Sequence, residues 1–441
     1  MRRTSFHEIA ALRALSHRNF RVFVGGQGLS VIGTWVQRIA LVWLVYRLTE
    51  SSLILGIVGF AGQIPLLVVT PFGGVLADRW NKHKILLYTQ ILSMLQAFAL
   101  AALVLTDNIF VWEIIVLSIL IGVLDALDMP ARQSFMMQMI RNDRESLPNA
   151  VAMNSVLVNA ARLVGPGIAG VLISMVAVSL KNKLNALSLL AAIPSLLVMD
   201  VPPEPPPVNK PKAPLEELGE GMRYAFGFAP IRAMLLLLGM VSLFATPIRV
   251  LAPAFVDRIL HSDAGTFGLL MGISGMGALA SAVYLMVRKG VLGLGKLVGL
   301  SSAVMGVALL GFAFSRWLAV AAVFIAFVGA GQMICLAGTN TLLQTMVEDE
   351  KRGRVMSLYA MSFRGIMPFS SLLAGAAGDW IGVPWTLAIC GAGSIAGSCY
   401  FLMHLPRLRH LVRPIYVRLG ILPESILGVS TATRLTSQEP E

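Results

Sequence analysis

The feature that most constrains this chain is a succession of apolar runs, each about as long as a bilayer is thick. A crossing helix needs ~20 such residues. Runs of that length recur twelve times: Phe20–Leu48, Leu53–Ala77, Lys84–Leu105, Val111–Pro130, Ala150–Val178, Leu184–Val201, Ile231–Ile259, Ala264–Val287, Leu292–Phe314, Trp317–Thr345, Val355–Gly378 and Val383–His404. Only 13% of the residues are charged and 56% are hydrophobic, whereas globular domains run near ~25% charged. In lipid each segment must satisfy its own backbone, which makes the runs helices. The expected fold is an all-α polytopic membrane protein of twelve transmembrane helices.

The formal net charge of +12 invites a nucleic-acid reading, and its distribution removes it. With both termini inside, twenty-four of the 35 Lys and Arg residues fall in cytoplasmic segments. Among them are Arg79, Lys82 and Lys84, then Arg132, Arg141 and Arg144, then Lys351, Arg352 and Arg354. Five fall outside and six lie within spans or at their edges. This positive-inside bias sets the orientation, and contact with anionic membrane lipids is its by-product. No cleavable signal peptide precedes the first span. Cys335, Cys390 and Cys399 all lie in apolar runs and imply no disulfide framework.

After the sixth run the chain changes character. Pro202, Pro203, Pro205, Pro206 and Pro207 exclude a helix, and Leu215–Phe226 then reads as an amphipathic helix on the membrane surface. The organisation is a cytoplasmic segment (1–19), a six-helix bundle (20–201), a cytoplasmic linker (202–230), a second six-helix bundle (231–404) and a basic, then disordered, cytoplasmic tail (405–441). The halves repeat. Arg38 and Arg47 recur as Arg249 and Arg258, and Arg162 and Pro166 recur as Arg364 and Pro368. Arg is rare in a membrane span, so two such coincidences mark pseudo-symmetric bundles. Repeats of this kind build secondary transporters, with the substrate between them.

Charged residues inside spans are the candidate functional groups. Asp125 is the one carboxylate placed well within a span; burial favours its neutral form and a nearby Arg its ionised form, the opposition a reversible proton site needs. Asp128 lies one turn on and can pair with Arg132 at i+4. Arg38, Arg249, Arg162 and Arg364 each cost at least ~2.5 kcal/mol in lipid unless they face water, a partner or an anionic ligand. With few intramembrane acids available, Arg38 and Arg249 lead as contacts for a carboxylate, catecholate or phosphate. Trp35, Gln37 and Asn159 extend the substrate-side set. All six His lie in loops or at span ends, and no nucleotide-binding loop, metal-ligand spacing or nucleophile–base constellation stands out. No cofactor and no metal is expected.

The turn after the second run carries the most specific pattern. Gly74-x-Leu76-Ala77-Asp78-Arg79-x-Asn81-Lys82-His83 resembles the loop 2–3 motif of the major facilitator superfamily, with Asn81 where Gly is usual. The corresponding loop of the second half, Val287–Gly293, has no acid. Ala161, Gly165, Pro166 and Gly170 resemble that superfamily's antiporter motif. Asp128-Met129-Pro130-Ala131-Arg132 is similar to the enterobactin-exporter and drug-efflux branch. The resemblance covers residues 16–404. It implies a gating set of Gly74, Asp78, Arg79, Lys82, Asp128 and Arg132, with Asp78 capping span 11 when the inner gate is shut. It also implies a proton-coupled exporter of a siderophore-like or drug-like small molecule in a bacterial inner membrane, not an enzyme. The alternatives are an importer or lipid flippase of the same fold, or a non-transporting receptor or assembly partner.

Overall fold

The computed structural model describes residues 14–106, 109–140, scattered positions between 143 and 165, 214–288 and 290–423. Within these, nothing is described for the side chains of residues 29, 70–79, 137, 214–218, 221 and 349. The first half contributes α1 (Arg18–Thr49), α2 (Ser52–Arg79), α3 (Lys82–Leu105) and α4 (Val111–Met139). A linker helix follows, α5 (Pro214–Gly227). The second half contributes α6 (Ala229–Ala245), α7 (Pro247–Arg258), α8 (Ala264–Val287), α9 (Leu294–Ala313), α10 (Leu318–Met346) and α11 (Asp349–Ala360). A π-helical turn (Met361–Gly365) then leads to α12 (Met367–Trp380) and α13 (Val383–Arg418).

Nine helical stretches among the described residues are long and apolar enough to cross a membrane. The eleventh predicted run is occupied by α11, the π turn and α12 in succession. The predicted fifth and sixth runs fall almost wholly outside the described residues.

Local chemistry explains the boundaries. Asn81 caps α3 by accepting from the Lys84 N–H at 3.2 Å, and the Glu113 carboxylate reaches back to the Phe110 N–H at 2.9 Å at the start of α4. Proline opens α6, α7, α12 and α13 within the first turn, where its missing N–H costs nothing. Helix α1 stops at Glu50, whose left-handed φ of 49° turns the chain.

Four expectations need correction. The polar turn between the second and third runs is shorter than the gap from Ala77 to Lys84: α2 runs on to Arg79 and α3 starts at Lys82. The seventh run is not one continuous helix, because it breaks at Thr246 before Pro247. The eleventh is interrupted by the π turn, which carries Arg364. Nor does the helix of the twelfth run end at His404, since α13 continues to Arg418 through Pro406 and Pro414. Hydropathy reports burial in lipid and is blind to both the hydrogen-bond register and a helix that outlasts the bilayer.

Helix contacts rest on small residues, as expected where lipid removes the hydrophobic drive between helices. A Cβ on Gly122 of α4 would strike the backbone of Gly62 on α2, and one on Gly329 of α10 would strike Ser274 on α8. The distribution of core residues is uneven between the two ends. At the end remote from the basic loops, the far face, first-half residues such as Trp43, Tyr46, Leu55 and Ile114 share one continuous core with Leu251, Phe255 and Phe267 of the second half. At the basic face, Phe20, Phe23, Ile85, Phe135 and Met139 form a separate core whose described members all belong to the first half.

Candidate functional site

Helices α1 and α4 bring the central charges together. The guanidinium of Arg38 donates to the Asp125 carboxylate at 2.5 Å, and the two side chains remain 50% and 41% accessible. Charges this deep along membrane-length helices are tolerated because they are paired with each other rather than left alone in lipid. One turn before Arg38, Trp35 places its ring 5.7 Å from the guanidinium carbon, a cation–π contact that fixes the head group's direction. Gly165 backs Trp35: a Cβ there would lie 2.5 Å from the Trp35 Cβ. The absence of a side chain at Gly165 therefore allows its backbone to approach Trp35 closely.

Asp128 and Arg132 form a second, enclosed pair on α4. Arg132 donates through Nε at 2.9 Å and Nη2 at 2.5 Å, Thr89 of α3 adds its hydroxyl at 3.1 Å, and the Phe23 ring lies 5.8 Å from the guanidinium. The side chains are 14% and 16% accessible. Asp125 and Asp128 share a helix face yet have different partners, so one acid is held fixed and the other faces the interior.

Arg364 arrives from the second half on the π turn. Its Nη1 lies 2.6 Å from the sulfur of Met129 on α4, and among the described residues no carboxylate stands within ion-pair distance of it. Its charge and those of Arg38 and Asp125 act on one another. With Asp128 committed to Arg132, the described residues around α1, α4 and the π turn present two guanidiniums and one carboxylate.

The remaining predicted residues separate. Arg249, the repeat partner of Arg38, is partly buried and donates to Gln332 of α10 at 2.9 Å. Gln37 is buried at 6% accessibility and donates to Gln96 of α3 at 3.1 Å, so it ties the first bundle together. Lys82 opens α3 and is buried. Ala161 is buried in helix. Gly74, Asp78 and Arg79 lie on helical backbone in α2, with side chains outside the described residues. Arg162, Asn159, Pro166 and Gly170 are likewise outside them. Asp257 and Asp379, both at the far face, were not singled out from the sequence. The usable signal was a lone acid closing an otherwise apolar span.

Comparison with known proteins agrees with this architecture. The chain is 26% identical over 383 residues to the staphyloferrin A transporter of Staphylococcus aureus, covering 86% of this chain and 95% of that one. It is 27% identical to a multidrug efflux pump of Mycolicibacterium fortuitum (86% and 93% covered) and 25% identical to an enterobactin exporter of Citrobacter koseri (90% and 94%). Solved structures share the fold. A nucleoside transporter matches with TM-score 0.68 at 11% identity over 87% of this chain and 99% of its own. A bacterial homologue of the iron transporter ferroportin matches with TM-score 0.62 at 18% identity (88% and 98%). The fold is thus the two-bundle, twelve-helix transporter fold that the apolar runs predict. The family model described as transmembrane secretion effector matches residues 9–413, and the chain belongs to that family of major facilitator superfamily transporters.

Proposed function

We propose that the chain exports an amphipathic organic molecule, of siderophore or drug type, in exchange for protons across a bacterial inner membrane. The basic face and both termini are cytoplasmic, in line with the bias of Lys and Arg. The observation that carries this reading is the half-accessible Arg38–Asp125 pair, one helical turn from Met129, against which Arg364 of the second half lies. Exchange requires that proton and cargo exclude one another. Asp125 achieves this by holding either a proton or a hydrogen-bond donor of the cargo, such as a phenol or amine. Arg364 takes the cargo's carboxylate, catecholate or phosphate oxygens, and Trp35 supplies an aromatic surface for its apolar part. The staphyloferrin, enterobactin and multidrug relatives support outward transport of such cargo. Asp78 and Arg79 close the cytoplasmic side in the opposite state of the cycle.

Inside-out vesicles with an acidic lumen test this directly. A panel of carboxylate-, catecholate- and amine-bearing probes identifies cargo that accumulates in the lumen and leaks away when the gradient collapses. Asp125→Asn is expected to abolish gradient-driven accumulation while retaining exchange of labelled for unlabelled cargo. Full gradient-driven accumulation in that variant would contradict the assignment. Arg364→Gln lowers affinity for acidic probes more than for neutral ones.

A further inference from the structure

We propose that Asp379 is a positioning residue of the transport cycle, latching the far face by lending its carboxylate to the N-terminus of α2 across the two halves. The inference rests on the reading that the halves rock against each other.

Asp379 ends α12 of the second half, and its carboxylate accepts three hydrogen bonds from the first. Ser51 donates its hydroxyl at 2.6 Å, Ser52 its backbone N–H at 2.8 Å and Leu53 its backbone N–H at 3.0 Å. These donors belong to the cap and first two residues of α2, where backbone N–H groups have no partner inside the helix and the helix dipole favours a negative charge. Helix α2 has no acid of its own in its first turn.

The corresponding helix of the second half is built differently. Helix α8 starts at Asp263, whose own carboxylate accepts from the Thr266 N–H at 3.0 Å. One helix carries its cap; the other borrows it. The borrowed cap exists only while the halves meet at this face. When they part, Ser51, whose hydroxyl also accepts from the Ile54 N–H at 3.3 Å, is the local substitute.

The surroundings fit a contact that forms and breaks as a unit. Just below, Gly56 of α2 and Gly375 of α12 touch backbone to backbone, a Cβ on Gly56 lying 2.6 Å from the Ser371 carbonyl. Alongside, Tyr46 of α1 donates to Asp257 of α7 at 2.9 Å, and Arg258 donates to the carbonyl of Glu50. Among these contacts the Asp379 carboxylate is the one that accepts from the backbone N–H groups of a helix N-terminus.

The test uses spin-label distances on the full-length chain with Cys335, Cys390 and Cys399 replaced. One label pair at Thr106 and Arg316 spans the far face and another at Lys84 and Glu350 spans the basic face. Asp379→Ala is expected to raise the ratio of far-face-open to far-face-closed molecules about tenfold, the scale of a charge-assisted contact at a helix end. Asp379→Glu recovers part of the closed population. The double variant Ser51→Asp/Asp379→Ala separates latch from cap: it returns a local acid to α2 and restores thermal stability, while the far face stays open. Unchanged distances in Asp379→Ala would overturn the proposal, and so would a double variant that closes the far face again. Because the readout is a distance, failure of the latch is distinguishable from failure of the transport assignment.

Discussion

The two faces of the molecule are closed by different physics. At the far face the halves share an apolar core, glycine-to-glycine backbone contact between α2 and α12, and directional bonds from Asp379, Tyr46 and Arg258. At the basic face the described core of the first half stands apart. The described ion pairs there stay within one half, as in Asp128–Arg132, or join the linker helix to α11, as in Glu220–Arg354. Among the described residues, one end is sealed and the other is separated, which supports the proposed cycle of halves rocking about an interior open toward the basic loops. The difference teaches that the far face is shut by packing plus a few replaceable polar bonds, which lets a modest free energy reverse it.

Breaking the packing gives the largest effect. Gly375→Leu forces a side chain into the backbone of Ser52 and Gly56. Overpacking of this kind costs ~1–3 kcal/mol. The Thr106–Arg316 label distance lengthens and transport falls by about tenfold or more, while the fold, followed by circular dichroism, is retained. A smaller effect follows from Tyr46→Phe, which removes one donor to Asp257 and costs ~0.5–1.5 kcal/mol of closed state. Its far-face distance distribution broadens without loss of expression. At the basic face Glu220→Gln cuts the bond to Arg354. Both side chains are substantially accessible, so the effect stays below ~1 kcal/mol, with label distances at both faces unchanged. A Glu220→Gln effect as large as that of Gly375→Leu would erase the contrast between the faces.

How much of this the sequence carries depends on how local each feature is. Crossing lengths are local and were legible: Ala264–Val287 falls where the apolar run ends on both sides. The i,i+4 pair Asp128–Arg132 is local too, and its geometry follows from helix periodicity. Arg38 and Asp125 are 87 residues apart, and no spacing rule joins them; the sequence could give Arg38 a deficit of acids but not the partner. Arg38 and Arg249, which the repeat matches, have different described partners: an acid for the one, and an amide among the partners of the other. The break at Thr246 had a readable sign in Pro247, whereas the π turn around Arg364 has none, because one extra residue in a helix leaves hydropathy unchanged. Asp379 stood out only as a lone acid closing a span, and its partners stayed hidden for the same reason as the Arg38 pair: they lie more than 320 residues away.

The most direct measurement is side-resolved labelling of the interior. A cysteine placed at Met129, beside Arg364, in a chain otherwise free of cysteine, is exposed to a membrane-impermeant thiol reagent in vesicles of either orientation. Fast reaction is expected in inside-out vesicles, where the basic face meets the reagent, and protection in right-side-out vesicles. Fast reaction in right-side-out vesicles with protection in inside-out ones would contradict an interior open toward the basic loops.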